Sequence, residues 1–164
     1  MLEYVTEALV LDKIDLGEQD LKVFLFTKDF GRVAAKIKSG KKITSKLAAH
    51  SEPLNFVTVR IVDKNKPQLI DVLSCGKLIP GKTIFKTLSL IKEISPENQP
   101  DLDLWDFLMK IKNKNVEDGV FIEALTLLGF DPKHAKCNNC LKGSPDFFST
   151  RDLAFYCKSC FKSH

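Results

Sequence analysis

The chain has 164 residues, 44% of them hydrophobic and 28% charged; this is the composition of a globular chain with a core of its own and not of a disordered one. No apolar run approaches the roughly 18–20 residues that span a bilayer. The opening Met1-Leu2-Glu3-Tyr4 lacks the basic and then apolar segments of a signal peptide. A reducing, cytoplasmic compartment without a membrane partner is therefore expected, and there five cysteines point to metal ligation ahead of disulfides. The net charge of +4 says less than its distribution: residues 1–29 hold seven acids and three lysines, whereas residues 30–50 hold six bases and no acid. Such asymmetry predicts a positive surface field over the second segment.

The first 80 residues predict β structure. Glu7 to Ile14 and Leu21 to Thr27 are apolar stretches rich in strand formers, and Asp29-Phe30-Gly31 is a turn signal. Gly31 to Ser39 alternates, with Val33, Ala35 and Ile37 on one face and Arg32, Lys36 and Lys38 on the other, which predicts a half-buried strand with a basic outer face. Ser39 to Ser45 is a basic loop, and Ser45 to Ser51 suits one helical turn. Phe56 to Val62 alternates again, with Val57, Val59 and Ile61 inward and Thr58 and Arg60 outward, and Pro67 to Leu78 is a fifth strand. Within it, Cys75 shares the parity of Leu69 and Leu73 and is expected as a buried free thiol. Five strands with a helical turn after the third predict an OB-fold barrel over residues 1–80.

After Pro80-Gly81 the period becomes helical. Ile84, Leu88 and Ile91, with Phe85 beside them, form one stripe, and Ser95 to Pro100 is a proline-bearing loop. Asp101 is placed to cap a helix carrying Leu102, Trp105, Leu108, Met109 and Ile111. Val116, Val120, Phe121, Ala124, Leu125 and Leu128 make a third stripe that Gly129 ends. The fold class is therefore α+β: the barrel, then residues 81–164 as a small helical domain with a cysteine motif at 137–160.

That motif is the strongest chemical signal. Cys137-Asn138-Asn139-Cys140 and Cys157-Lys158-Ser159-Cys160 are separated by 16 residues, within the spacing of a four-thiolate zinc site. Four sulfur ligands complete a tetrahedron and leave no position for a catalytic water, so one structural Zn2+ is expected. Two disulfides and an iron–sulfur cluster are the alternatives; the compartment disfavours the first and no other feature supports the second. Phe147, Phe148 and Phe155 between the pairs suit a mini-core for a metal-held hairpin. His134 lies three residues before Cys137 but adds nothing to four complete ligands, and His50 and His164 belong to no motif. No phosphate-binding loop, nucleophile elbow, dinucleotide fingerprint or deaminase signature occurs, so neither an enzyme nor a small-molecule substrate is expected.

The basic residues Arg32, Lys36, Lys38, Lys41, Lys42 and Lys46, with Arg60 on the next strand, are candidate phosphate contacts on a barrel whose second and third strands commonly bind oligonucleotides. The rival reading is a solvated charged face. Of the aromatics Tyr4, Phe24, Phe26, Phe30 and Phe56, Phe30 in its turn is the exposed candidate for stacking on bases, and most of the others are expected in the core.

Together these segments resemble a known family. Glu7-Ala8-Leu9-Val10-Leu11, Asp15-Leu16-Gly17-Glu18-Gln19-Asp20, Phe26-Thr27-Lys28-Asp29-Phe30-Gly31-Arg32, Lys38-Ser39-Gly40-Lys41-Lys42 and Ser45-Lys46-Leu47 follow the order of the N-terminal domain of bacterial RecO, a recombination mediator of DNA repair. Phe121-Ile122-Glu123-Ala124-Leu125 and Leu128-Gly129-Phe130-Asp131-Pro132 resemble the family's last helix before its cysteines, and the four cysteines fall where zinc-bearing members place theirs. The resemblance implies an OB fold, a helical middle domain and a zinc motif. It implies a non-enzymatic mediator that binds single- and double-stranded DNA, anneals complementary strands, pairs with RecR, engages the C-terminal tail of single-stranded DNA-binding protein and assists RecA in the RecF pathway, at the bacterial nucleoid. Carried over by position, Arg32, Lys38, Lys41, Lys42 and Lys46 are the DNA contacts. The chain departs from the family pattern in a short helical region, from Lys77 to Lys133, which bears on the tail-binding surface. It also has lysines where arginines are common, and Leu141 where glycine often follows the second cysteine. The reading of another class is a zinc-ribbon adaptor that binds only proteins.

Overall fold

The structure is a computed structural model that describes residues 2–117 and 119–162; His164 lies outside them. Five strands, β1 (Leu2–Leu16), β2 (Asp20–Thr27), β3 (Gly31–Ile37), β4 (Asn55–Asp63) and β5 (Pro67–Lys77), close into a barrel of order β1-β2-β3-β5-β4. All neighbours are antiparallel except β3 and β5, whose single parallel pairing of Lys36 with Gln68 closes the ring. The helical turn α1 (Lys46–His50) sits between β3 and β4, with the Ser45 hydroxyl accepting from the Ala48 N–H. This is the OB architecture that the strand count predicts.

β1 is longer than the apolar run that signals it, because it serves two partners. Leu2–Leu9 pairs with β4, and Ala8–Leu16 pairs with β2. A register shift between Val10 and Asp12 lets the strand bend from one partner to the other. Ala8, Leu9, Val10 and Leu11 are all buried. Ala8 and Val10 enter the barrel, while Leu9 and Leu11 pack under the helices. Burial on both faces replaces alternation by a continuous apolar run.

The same division separates two cores. Inside the barrel, Val23, Leu25, Val33, Ile37, Val57 and Ile61 meet. On its outside, Phe26, Phe56 and Leu78 pack with α2 (Lys82–Ile94), α3 (Leu102–Ile111) and α4 (Gly119–Leu127). Phe56 meets Trp105 edge to face at 6.0 Å. The chain turns from strand to helix between Lys77 and Lys82, and the second core spans that turn. A short 3-10 turn (Pro132–His134), the hairpin β6 (Phe147–Ser149) and β7 (Ala154–Tyr156), and α5 (Lys158–Phe161) complete the described chain.

Several expectations are corrected. Cys75 is exposed, and so is Leu73 at 69%. The pairing of β5 with β4 skips Ile70 and Cys75, and each skipped residue inverts the side-chain parity beyond it. On α3 the buried stripe is Leu104, Trp105, Phe107 and Leu108, while Leu102 is 60% exposed and Met109 lies outward. Asp101 does cap it, accepting from the Leu104 N–H at 2.9 Å. Phe85 on α2 is half exposed.

The 95–100 loop is not a free connector. It rests on the β2–β3 turn, where the Asn98 N–H donates to the Arg32 carbonyl at 3.1 Å. Gly31 has φ +65°, and a Cβ there would lie 1.8 Å from the Gln99 carbonyl oxygen. Replacing Gly31 by Ala therefore forces the loop off the turn and places alanine in a left-handed conformation, itself worth about 1–2 kcal/mol. A lower melting midpoint and lost exchange protection at Asn98 are expected for Gly31→Ala. Wild-type values for both would show that the loop does not depend on this contact.

Candidate nucleic-acid interface and metal centre

The basic segment folds against the acids that precede it in sequence. β1 and β2 form a hairpin, and β3 lies beside β2. Lys36 on β3 pairs with Asp20, which also accepts from the Ser39 N–H at 2.8 Å; these bonds, Lys36 first, hold the Asp20 carboxyl below the usual range. Lys41 pairs with Asp15 at 2.8 Å and donates to the Gly17 carbonyl, fixing the loop after β3 to the β1–β2 turn. Arg60 on β4 pairs with Glu3 on β1. Arg32 turns toward the helices, where its Nε donates to the Ser95 carbonyl at 2.7 Å and its guanidinium meets Glu97 at 3.3 Å. Arg32 thus holds the 95–100 loop on the barrel.

Of the seven candidate DNA contacts, four are engaged by acids of the chain itself. The remaining three, Lys38, Lys42 and Lys46, are exposed and make no ion pair among the described residues. They lie on or beside the loop from Ser39 to Ser45, along with the fully exposed Ile43. Lys64 and Lys66 in the β4–β5 turn are also exposed without an ion pair among the described residues. Both belong to a short turn with no charge run around it, so nothing in the sequence marked them.

Among the aromatics Phe26 and Phe56 lie in the core as expected, and Phe30 is the exception. Phe30 is half-buried against Tyr4, with ring centroids 4.2 Å apart, and packs on the barrel core. Phe26 and Phe56 are buried under the helices. Phe24 lies on the outer face of β2, with the Lys22 and Lys92 ammonium groups over its ring.

The second site is built by two turns. In the first, Cys137 donates its N–H to the Lys142 carbonyl at 2.8 Å, and the Leu141 N–H donates to the Cys137 carbonyl at 2.9 Å. In the second, the Cys160 and Phe161 N–H groups donate to the Cys157 carbonyl. The β6–β7 hairpin brings the turns together: the Asn138 N–H bonds the Phe155 carbonyl, and the Asp146 N–H bonds the Tyr156 carbonyl. The sulfur atoms of Cys137, Cys140, Cys157 and Cys160 all lie within 4.8 Å of one another, and those of Cys140 and Cys157 are 3.7 Å apart. A metal–sulfur bond of about 2.3 Å gives a tetrahedral edge of about 3.8 Å, so the donor set fits one tetrahedral metal ion. His134 is not part of the group.

The charges in the cluster pull apart. N–H groups of Cys140, then Cys157, aim at the Cys137 sulfur and lower its pKa to about 6. The Ser159 hydroxyl, followed by the Cys160 N–H, also lowers Cys157. Cys160, sharing its proton with the Cys157 sulfur and partly desolvated, is pushed up to about 12. Four crowded sulfurs cannot all ionise without a cation among them, and a bound metal ion would replace the protons that remain. Acidification would consequently weaken metal binding.

Aromatic rings anchor the module to the helices. Phe148 meets Phe130 and Phe155, each at 4.9 Å, and all three pack on the helical core. Phe147 instead stacks on Phe161 at the surface.

Residues 1–79 match the family described as Recombination protein O N terminal. The barrel domain is therefore similar to the N-terminal domain of the RecO family. The likeness continues beyond it, as the sequence resemblance implies. The chain is 26% identical over 181 aligned positions to the DNA repair protein RecO of Thermodesulfovibrio yellowstonii, covering 99% of this chain and 72% of the relative. It is 26% identical to the RecO of Bacillus pumilus, with coverage of 95% and 68%, and 28% identical to that of Shouchella clausii, with coverage of 94% and 67%. The first of these alignments is longer than the chain itself, so that relative carries residues this RecO-like chain lacks.

Two predictions concern the metal centre. Cys157→Ser is expected to remove the bound metal and open the hairpin, read as lost metal content and faster proteolysis after residue 135; one metal per chain with wild-type melting would exclude this ligand role. Leu141 has φ +60° and is 71% exposed, so Leu141→Gly relieves a left-handed residue at little packing cost. The metal-loaded variant is expected to gain up to about 1 kcal/mol, seen as a higher midpoint, and a lower midpoint would contradict the strain.

Proposed function

We propose that the chain is a RecO-like recombination mediator that binds single- and double-stranded DNA, anneals complementary strands and assists RecA loading in RecF-pathway repair. The observation that carries this reading is the set of exposed lysines that make no ion pair among the described residues, Lys38, Lys42 and Lys46, on or beside the loop after β3 of a RecO-type OB barrel. Lysine neutralises phosphate as a point charge with little demand on geometry. Contacts of that kind give affinity independent of sequence, which annealing requires, because screening phosphate repulsion lets any two complementary strands meet. Lys36, Lys41 and Arg60 join the footprint by exchanging their carboxylate partners for phosphate, and Arg32, more enclosed, supports the loop behind it.

Zn2+ is the metal that best suits four thiolates in a closed tetrahedron, and its role here is structural. We assign the chain no catalytic step. RecR and the C-terminal tail of single-stranded DNA-binding protein are its proposed protein partners, in the bacterial cytoplasm at the nucleoid. Residues 1–80 are proposed as the DNA-binding domain and residues 81–164 as the helical, zinc-bearing domain.

A salt titration of fluorescent single-stranded DNA binding tests the reading. Each neutralised phosphate adds about −0.7 to the log–log slope. A triple change of Lys38, Lys42 and Lys46 to alanine is therefore expected to flatten the wild-type slope by about 2, while Arg32→Ala leaves it unchanged. Equal slopes for wild type and triple variant would move the interface elsewhere. Binding of no DNA at any salt would favour the protein-only adaptor, for which the exposed Phe147–Phe161 pair beside the cysteines is the natural contact.

A further inference from the structure

Phe24 stands at the centre of a cationic patch assembled from three elements. In the strand register it lies between Asp12 on β1 and Ala34 on β3. Lys22, on the same face of β2, places its Nζ 5.0 Å from the ring centroid, and Lys92 reaches the ring from α2 at 5.1 Å. Lys36 is directly opposite Lys22 across β2 and β3. Beyond Lys22 on the other side is Ile14, 44% exposed.

Two ammonium groups over one half-buried ring, with Lys36 opposite Lys22 across the sheet, are costly unless something offsets them, since like charges placed opposite one another destabilise a sheet. Asp20 offsets Lys36, and Asp12 offsets Lys92 at 2.6 Å. Lys22 has no carboxylate partner among the described residues and rests on the π face instead. The patch therefore combines what a single strand offers to meet: cations for phosphates, and a flat ring with apolar neighbours for a base.

We propose that Phe24, Lys22, Lys36 and Lys92 form a seat for single-stranded DNA on the outer face of β2 and β3. A base stacks on Phe24 as the Lys22 ammonium leaves the ring for the adjoining phosphate. Lys92 brings the helical layer into the DNA path, so barrel and helices present one surface. This rests on the DNA-binding reading and extends the track from the loop after β3 across the strand face.

The test uses the whole chain, a fluorescent oligothymidylate and the same oligonucleotide carrying 5-iodouracil. Lys22→Ala is expected to flatten the salt slope by about 0.7. Phe24→Leu, which keeps an apolar side chain against the helices, is expected to weaken binding about tenfold with no change of slope. Irradiation is expected to crosslink the iodinated strand to Phe24. Wild-type affinity and slope in both variants, with crosslinking elsewhere, would overturn the seat even while the Lys38, Lys42 and Lys46 variant still lost binding. A wild-type chain that binds no strand would remove the seat and the DNA-binding reading together. Should Phe24→Leu melt early, Lys22→Ala, which removes only an outward-facing side chain, decides the matter.

Discussion

The structure depends on β1 burying both of its faces. A strand with one wet face would make a free-standing barrel. Here Leu9 and Leu11 turn outward into the helical core while Ala8 and Val10 turn inward. Phe26 on β2 and Phe56 on β4 extend the same outer apolar surface. Burial of apolar area is the dominant favourable term in folding, and this surface has value only when α2, α3 and α4 cover it. The helices are therefore part of the barrel's stability. The register shift after Val10 is what permits the arrangement, because it turns the remainder of β1 toward β2.

Once the helices are docked, their connecting loop has nowhere to go but over the β2–β3 turn. Glycine at position 31 and the guanidinium of Arg32 accommodate it, one by having no side chain and the other by bonding Ser95 and Glu97. An arginine on a basic strand looks in sequence like a phosphate ligand. Its partners lie 63 and 65 positions further along the chain, beyond the reach of any local pattern. The same limit governs the acids. The acidic first segment and the basic second one look like opposite poles, yet antiparallel pairing lays them side by side, so Asp15 and Asp20 meet Lys41 and Lys36. Charge runs in sequence predict a field only after the sheet has decided which charges are neighbours.

What was legible followed from local rules. Period-two alternation marked β3 and β4 and their inward faces, and the spacing of two cysteine pairs marked a cluster that the fold does assemble. What was not legible came from irregularities that leave no local trace. Skipped residues at Ile70 and Cys75 reversed the parity of β5, so a thiol expected inside lies outside. Phe30 seemed exposed because turns are exposed, but the N-terminal part of β1 supplies Tyr4 to cover it. Lys22 was lost among acidic neighbours in sequence although its nearest neighbour across the sheet is Lys36.

The two sites meet the same physical problem in different ways. In the cysteine cluster, four sulfurs are brought together by two short turns, and a bound cation would let all of them ionise, so that folding of the hairpin and metal binding would be one event. On the barrel, Lys36, Lys41, Lys92 and Arg60 are balanced by acids and Lys22 by an aromatic ring. Exposed ion pairs of that kind are individually worth little, from near zero to about 1 kcal/mol. They are weak enough for a polyanion to displace. Under the proposed DNA-binding reading, the internal acids of the first segment hold Lys36 and Lys41 in place until phosphate replaces them.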